Sequence, residues 1–175
     1  MFRIALPRAR AFLVGGERPY YSKEARFMSP VAILQTYLDR IAQAVLRERF
    51  DEYRALIELP LSIQTSSANL TITTEEDLLD GFDDYTDMLQ SHAVTDMIRP
   101  VKAAIFQGNN HIAGIYETRL MSGSRQVLPS FHSKMWIGCH DGVWKAIKIH
   151  NTTKETRWPM LLTRLSTKHW LSEEN

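Results

Sequence analysis

The sequence predicts an α+β domain in which three N-terminal helices pack on one face of a curved antiparallel sheet. Apolar residues recur at helical spacing through residues 30–92, and after Asp96 they alternate with period two. The alternating segments are separated only by short turn-forming stretches. Short turns make neighbouring strands antiparallel, and helices with one apolar stripe each must bury it against the sheet they precede.

The first helix starts at Ser29-Pro30, with Ser as N-cap and Pro at the first helical position, where its missing N–H costs nothing. Leu34, Tyr37, Leu38, Ile41 and Val45 then recur on one face to about Arg47. A short second helix is predicted over Asp51 to Glu58, ended by Pro60. Leu61 to Thr65 and Leu70 to Thr74 alternate as two strands around the polar turn Ser66-Ser67-Ala68-Asn69. Thr74-Glu75-Glu76-Asp77 forms a capping box with acids in the first turn, where the helix dipole favours them. That third helix runs through Leu78, Phe82, Tyr85, Met88 and Leu89 to about His92. Four long strands follow, Ile98 to Gln107, Ile112 to Met121, Val127 to Gly138 and Val143 to His150. They are joined through Gly108-Asn109-Asn110, Ser122-Gly123-Ser124 and Asp141-Gly142 as a meander.

The 175 residues suffice for one domain, predicted over 30–153, with an extension at 1–29 and a docking tail at 154–175 that holds Trp158, Leu161, Leu162, Leu165 and Trp170. Met28 is a second candidate start. Bulk charge is near zero, with 21 basic and 20 acidic residues, so nothing drives the chain toward nucleic acid or anionic lipid. The charge is segregated: residues 71–97 carry no Lys or Arg, and the basic strands follow them. An acidic helix set against a basic sheet attracts within one fold. No apolar run approaches the roughly 18 residues of a membrane helix. The single Cys139 excludes an internal disulfide framework, and a cytoplasmic location is expected. No Gly-rich phosphate loop, His-X-X-X-His pair or carboxylate pair at metal spacing occurs, so neither metal nor cofactor is expected.

Several short runs carry a resemblance. Tyr37, Arg47-Glu48-Arg49-Phe50-Asp51-Glu52-Tyr53, Pro60, Thr74-Glu75-Glu76-Asp77-Leu78 and Asp141-Gly142-Val143-Trp144-Lys145, in this order of elements, resemble the SnoaL-like branch of the nuclear transport factor two-like superfamily over residues 30–152. The resemblance implies a cystatin-like, SnoaL-like cone, frequently dimeric through its outer sheet face. It leaves function open, because ketosteroid isomerases, polyketide cyclases, scytalone dehydratases, limonene epoxide hydrolases and non-catalytic binding and adaptor domains all use this fold. Isomerase relatives place a base early in the strand after the second helix; Leu61-Ser62-Ile63-Gln64-Thr65 supplies no acid or histidine there. Cyclase relatives use an acid and a histidine from the sheet.

The sheet candidates are Glu117 and Arg119, two apart and so on one strand face, with His132 on the next strand and His150 on the last. On a concave face, Glu117, Arg119 and His132 could polarise a carbonyl; on the outer face they would only exchange cross-strand salt bridges. His132 shares its face with Ser130, Lys134 and Trp136, and His150 shares its face with Trp144 and Lys148. Tyr37, Tyr53, Tyr85 and Tyr116 could each turn a hydroxyl into the cone or sit in the core. Ligand contacts are expected from Tyr37, Tyr53, Gln64, Tyr116, Trp136 and His150. Because Val127, Phe131, Met135 and Ile137 form one apolar face while Leu128 and Trp136 lie on the other, the sheet is apolar on both sides. Such a sheet needs a cover on its outer side, which favours a homodimer. The expected occupant of the cone is a small apolar organic molecule. A non-catalytic binding domain, a lyase or isomerase acting on a carbonyl-containing ring, and a protein-interaction module all remain open.

Overall fold

The computed structural model describes residues 28–65 and 69–151. The extension before Met28, the turn residues 66–68 and the tail from residue 152 lie outside the described residues, and with them the expected docking of Trp158 to Trp170. Helix α1 spans Pro30–Leu46. The Ser29 hydroxyl oxygen accepts the Ala32 N–H at 3.2 Å, the expected N-cap. Leu34, Tyr37, Leu38, Ile41 and Val45 are buried along its inner face. Helix α2 is only Phe50–Arg54, and strand β1 begins at Ile57 and runs to Gln64.

The sequence placed Glu58 at the end of a helix and let Pro60 stop it. Instead Ile57 stands opposite Ala146 and Ser62 opposite Lys148 of the last strand, a pairing no local signal announces. Pro60 sits in the irregular stretch between those two paired positions, where the ladder requires no N–H from it. Strand β2, Asn69–Ile72, returns antiparallel along β1. Helix α3, Glu75–Ser91, starts at Thr74, whose hydroxyl oxygen accepts the Asp77 N–H at 3.1 Å. It buries Leu78, Gly81, Phe82, Thr86 and Leu89.

The predicted strand Ile98 to Gln107 is two strands, β3 at Asp96–Ile98 and β4 at Val101–Phe106. Pro100, which has no N–H to give, sits at the break. The Gln35 side chain of α1 spans it: its amide nitrogen donates to the Arg99 carbonyl at 3.1 Å, and its amide oxygen accepts the Val101 N–H at 3.0 Å. Strand β5, His111–Ser122, pairs with β3, with β4, with the two-residue β6 at Arg125–Gln126, and with β7 at Phe131–His140. Strand β7 starts four residues later than predicted, beyond Pro129. Strand β8, Val143–Asn151, pairs antiparallel with β7 and parallel with β1. The path is β2-β1-β8-β7-β5-β3 in one eight-stranded sheet of the described residues, and the predicted meander is its β4-β5-β7-β8 part. Among these residues no helix is long and apolar enough to cross a membrane.

Helix α1 lies tightly on the sheet at Gly114. A Cβ added there would collide with the Leu34 side chain and stand 2.9 Å from the Ala103 carbonyl oxygen. Leu34 is fully buried and cannot swing away. Gly114→Val is expected to destabilise the fold by about 1–3 kcal/mol and lower Tm by roughly 3–10 °C. An unchanged calorimetric melt would contradict this packing.

Candidate functional site

Between the helices and the sheet lies a cavity of about 130 Å³. Its apolar wall comes from Ile41 and Val45 of α1, Leu78 of α3, and Ile63, Ile72, Met135 and Ile149 of the strands. Into it converge the phenols of Tyr53, Tyr85 and Tyr116, the hydroxyls of Thr118 and Ser133, the Asn151 amide and the Arg99 guanidinium. These seven polar residues come from six separate segments of the chain, so only the closed fold assembles them.

Strand alternation explains the inward set. Tyr116 and Thr118 share one face of β5, Phe131, Ser133 and Met135 the facing side of β7, and Ile149 and Asn151 that of β8. Ser133 donates to the Asn151 amide oxygen at 2.7 Å and also hydrogen-bonds Tyr116. Arg99 follows the same inward register at the β3–β4 break. Its Nη2 donates to the Tyr85 hydroxyl oxygen at 3.3 Å, while its Nε is enclosed with no hydrogen-bond partner. Burial pushes the phenols of Tyr53, Tyr85 and Tyr116 above their ordinary pKa, and the Arg99 charge pulls each of them back. At neutral pH the three are therefore hydrogen-bond donors, not bases.

The expected residues divide between the two faces. Tyr53 and Tyr116 line the cavity. Tyr37 is a core residue whose hydroxyl donates to the Leu56 carbonyl at 2.8 Å. Gln64 lies at the end of β1, opposite Asn69 and His150. Glu117, Arg119, His132, Trp136 and His150 alternate with the inward residues and belong to the outer face of the sheet.

There the Glu117 carboxylate accepts from Arg119 Nε at 3.0 Å and Nη2 at 2.9 Å, and pairs with Lys102 Nζ at 2.8 Å. The hydrogen bonds from Arg119 and then Lys102 hold its carboxyl well below the usual carboxylate range. His132 stands opposite Glu117 in register, so the acid and the histidine do meet, but away from the cavity. Trp136 lies between Lys134 and Lys148, with Nζ atoms 4.7 and 5.1 Å from the ring centroid. His150 does not share a face with Trp144 as the plain alternation predicted. A register shift in β8 sets Ala146 opposite Ile137 but Lys148 opposite Trp136, so Trp144 packs on the core while Lys148 and His150 turn outward.

The sequence reading overlooked Arg99, Thr118, Ser133 and Asn151. For Arg99 a signal existed: Met97, Arg99 and Val101 alternate, which sets a cation between two inward apolar positions. No three His, Cys, Asp or Glu side chains among the described residues gather as a metal site would require.

No protein-family profile matches the chain, and no curated protein matches it in sequence. Solved structures do resemble it. An NTF-2-like protein of unknown function from Shewanella oneidensis MR-1 superposes with a TM-score of 0.57 at 12% identity, over 71% of this chain and 100% of that one. A protein of unknown function with a cystatin-like fold from Nostoc punctiforme gives 0.53 at 17% identity, over 76% and 98%. A candidate calcium/calmodulin-dependent protein kinase type II association domain from Thiobacillus denitrificans gives 0.54 at 14% identity, over 69% and 94%. With helices laid over a mixed sheet and a cavity held between them, this chain has the cystatin-like α+β fold of the NTF-2-like proteins.

Proposed function

We propose that the chain is a small-molecule-binding domain whose ligand sits between the helices and the sheet. The cavity carries this reading. An apolar cavity of about 150 Å³ accepts benzene, so 130 Å³ suits an occupant of about one ring. An apolar wall with a few converging polar groups is the usual composition of a ligand site. Catalysis as a lyase or isomerase has weaker support. The cavity lining among the described residues offers no carboxylate or imidazole as a base, and Glu117 is held ionised on the other face. The buried, unpaired Cys139 fits a reducing compartment such as the cytoplasm.

A single-ring probe such as benzyl alcohol is expected to shift the amide resonances of Tyr53, Tyr116 and Ser133. Ile63→Phe, which fills the cavity, is expected to weaken that binding at least ten-fold without unfolding the chain. Equal binding by the variant would place the probe elsewhere.

The outer face supports a second role, association of two copies. Ile105 is 62% and Ile115 42% exposed on adjacent strands, with Trp136 beside them, and one structural neighbour is a candidate association domain. Native mass spectrometry is expected to show a dimer that Ile105→Asp with Ile115→Asp turns into monomer. A monomeric parent protein would rule this surface out.

The Glu117 cluster is assigned a structural part in that face. Its folded pKa is depressed, so its contribution is present above the ordinary glutamate range and is lost as pH falls through that range and below. Glu117→Gln is expected to flatten the loss of Tm between pH 5 and pH 2; parallel melting curves for variant and parent would refute the assignment.

A further inference from the structure

The cavity contains a cation and, among its described lining, no anion. Arginine stays protonated at any pH the fold survives, so Arg99 brings a fixed positive charge into a chamber whose other described lining is uncharged. Its recorded side-chain partner is the neutral Tyr85 hydroxyl, at the long distance of 3.3 Å. Among the described residues no carboxylate lies within ion-pairing distance of it. An enclosed guanidinium nitrogen without an acceptor costs stability, and folds normally resolve such a group by pairing it.

The same molecule shows what that pairing looks like. Arg119 presents Nε and Nη2, the two nitrogens on one edge of the guanidinium, to both oxygens of Glu117 at 3.0 and 2.9 Å. On Arg99 this edge carries a phenol oxygen at Nη2 and nothing at Nε. The main chain of Arg99 is also held in place, because Gln35 bonds the carbonyl of Arg99 and the N–H of Val101 across Pro100.

We propose that the ligand of this cavity is a small organic acid, whose carboxylate pairs with the Arg99 guanidinium while its ring or alkyl body lies against Ile63, Leu78, Met135 and Ile149. The inference rests on the binding role above and narrows its ligand class to anions. The phenols of Tyr53, Tyr85 and Tyr116 suit the same guest. Burial keeps them protonated and neutral, so they do not repel an anion.

Calorimetric titration of the full chain with benzoate and with the neutral isostere benzamide tests the proposal. Benzoate is expected to bind at least ten-fold more tightly, and Arg99→Met is expected to erase that preference. Equal binding of the two probes by the parent protein would overturn the acid and leave the cavity reading standing. A preference that survives Arg99→Met would overturn the role of Arg99. Binding of neither probe, with the resonances of Tyr116 and Ser133 unmoved, would remove the binding role and this inference together. The comparison of probes on the parent protein needs no variant, so a poorly folded Arg99→Met does not rescue the idea.

Discussion

Strand β5 takes ladder hydrogen bonds from β3, β4, β6 and β7, and side chains along any strand alternate between its two faces. Its register therefore settles the address of residues on four other strands. With Gly114 against Leu34 of α1, the even-numbered residues of β5 must face the helices, so Tyr116 and Thr118 enter the cavity. Glu117 and Arg119 must then face away. A slip of one residue would exchange those sets and bury an ion pair beneath the helices, at a cost of several kcal/mol.

The interior shows why a void persists under such constraint. Leu34 meets the sheet at Gly114, where the absence of a side chain lets α1 come close. Farther along the same helix, Ile41 and Val45 border the cavity, and the facing strands bring tyrosines and hydroxyls as well as apolar side chains. Polar tips cannot collapse onto one another as aliphatic groups do without giving up hydrogen bonds. A chamber edged by Arg99, Tyr85 and Ser133 thus resists filling, whereas Leu56, Ile57, Leu61 and Ile137 are fully buried in the apolar core. Local rules of stability are broken at Arg99, and functional sites are where such exceptions gather.

The outer face balances charge differently. Exposed Lys102 and Arg119 pair with the largely covered Glu117 carboxylate, and two lysines flank Trp136. Partly exposed ion pairs of this kind contribute little each, and on the same face Ile105 and Ile115 are exposed among the described residues.

Much of this was legible in the chain because its signals are local. Ser29-Pro30 and Thr74 to Asp77 announce helix starts through hydrogen bonds spanning three residues, and Asp141-Gly142 closes a hairpin between adjacent strands. Order, helix starts, turns and the change from helical to alternating period follow from such short-range chemistry alone. The parallel union of β1 with β8 joins residues nearly ninety positions apart, and the shift within the β7–β8 ladder has no signal in the composition of either strand. Periodicity says that Glu117 and Tyr116 lie on opposite faces; it does not say which face the helices cover. That choice was made by the approach of α1 at Gly114, and it moved the candidate site from the Glu117–His132 pair to Arg99 and the tyrosines around it.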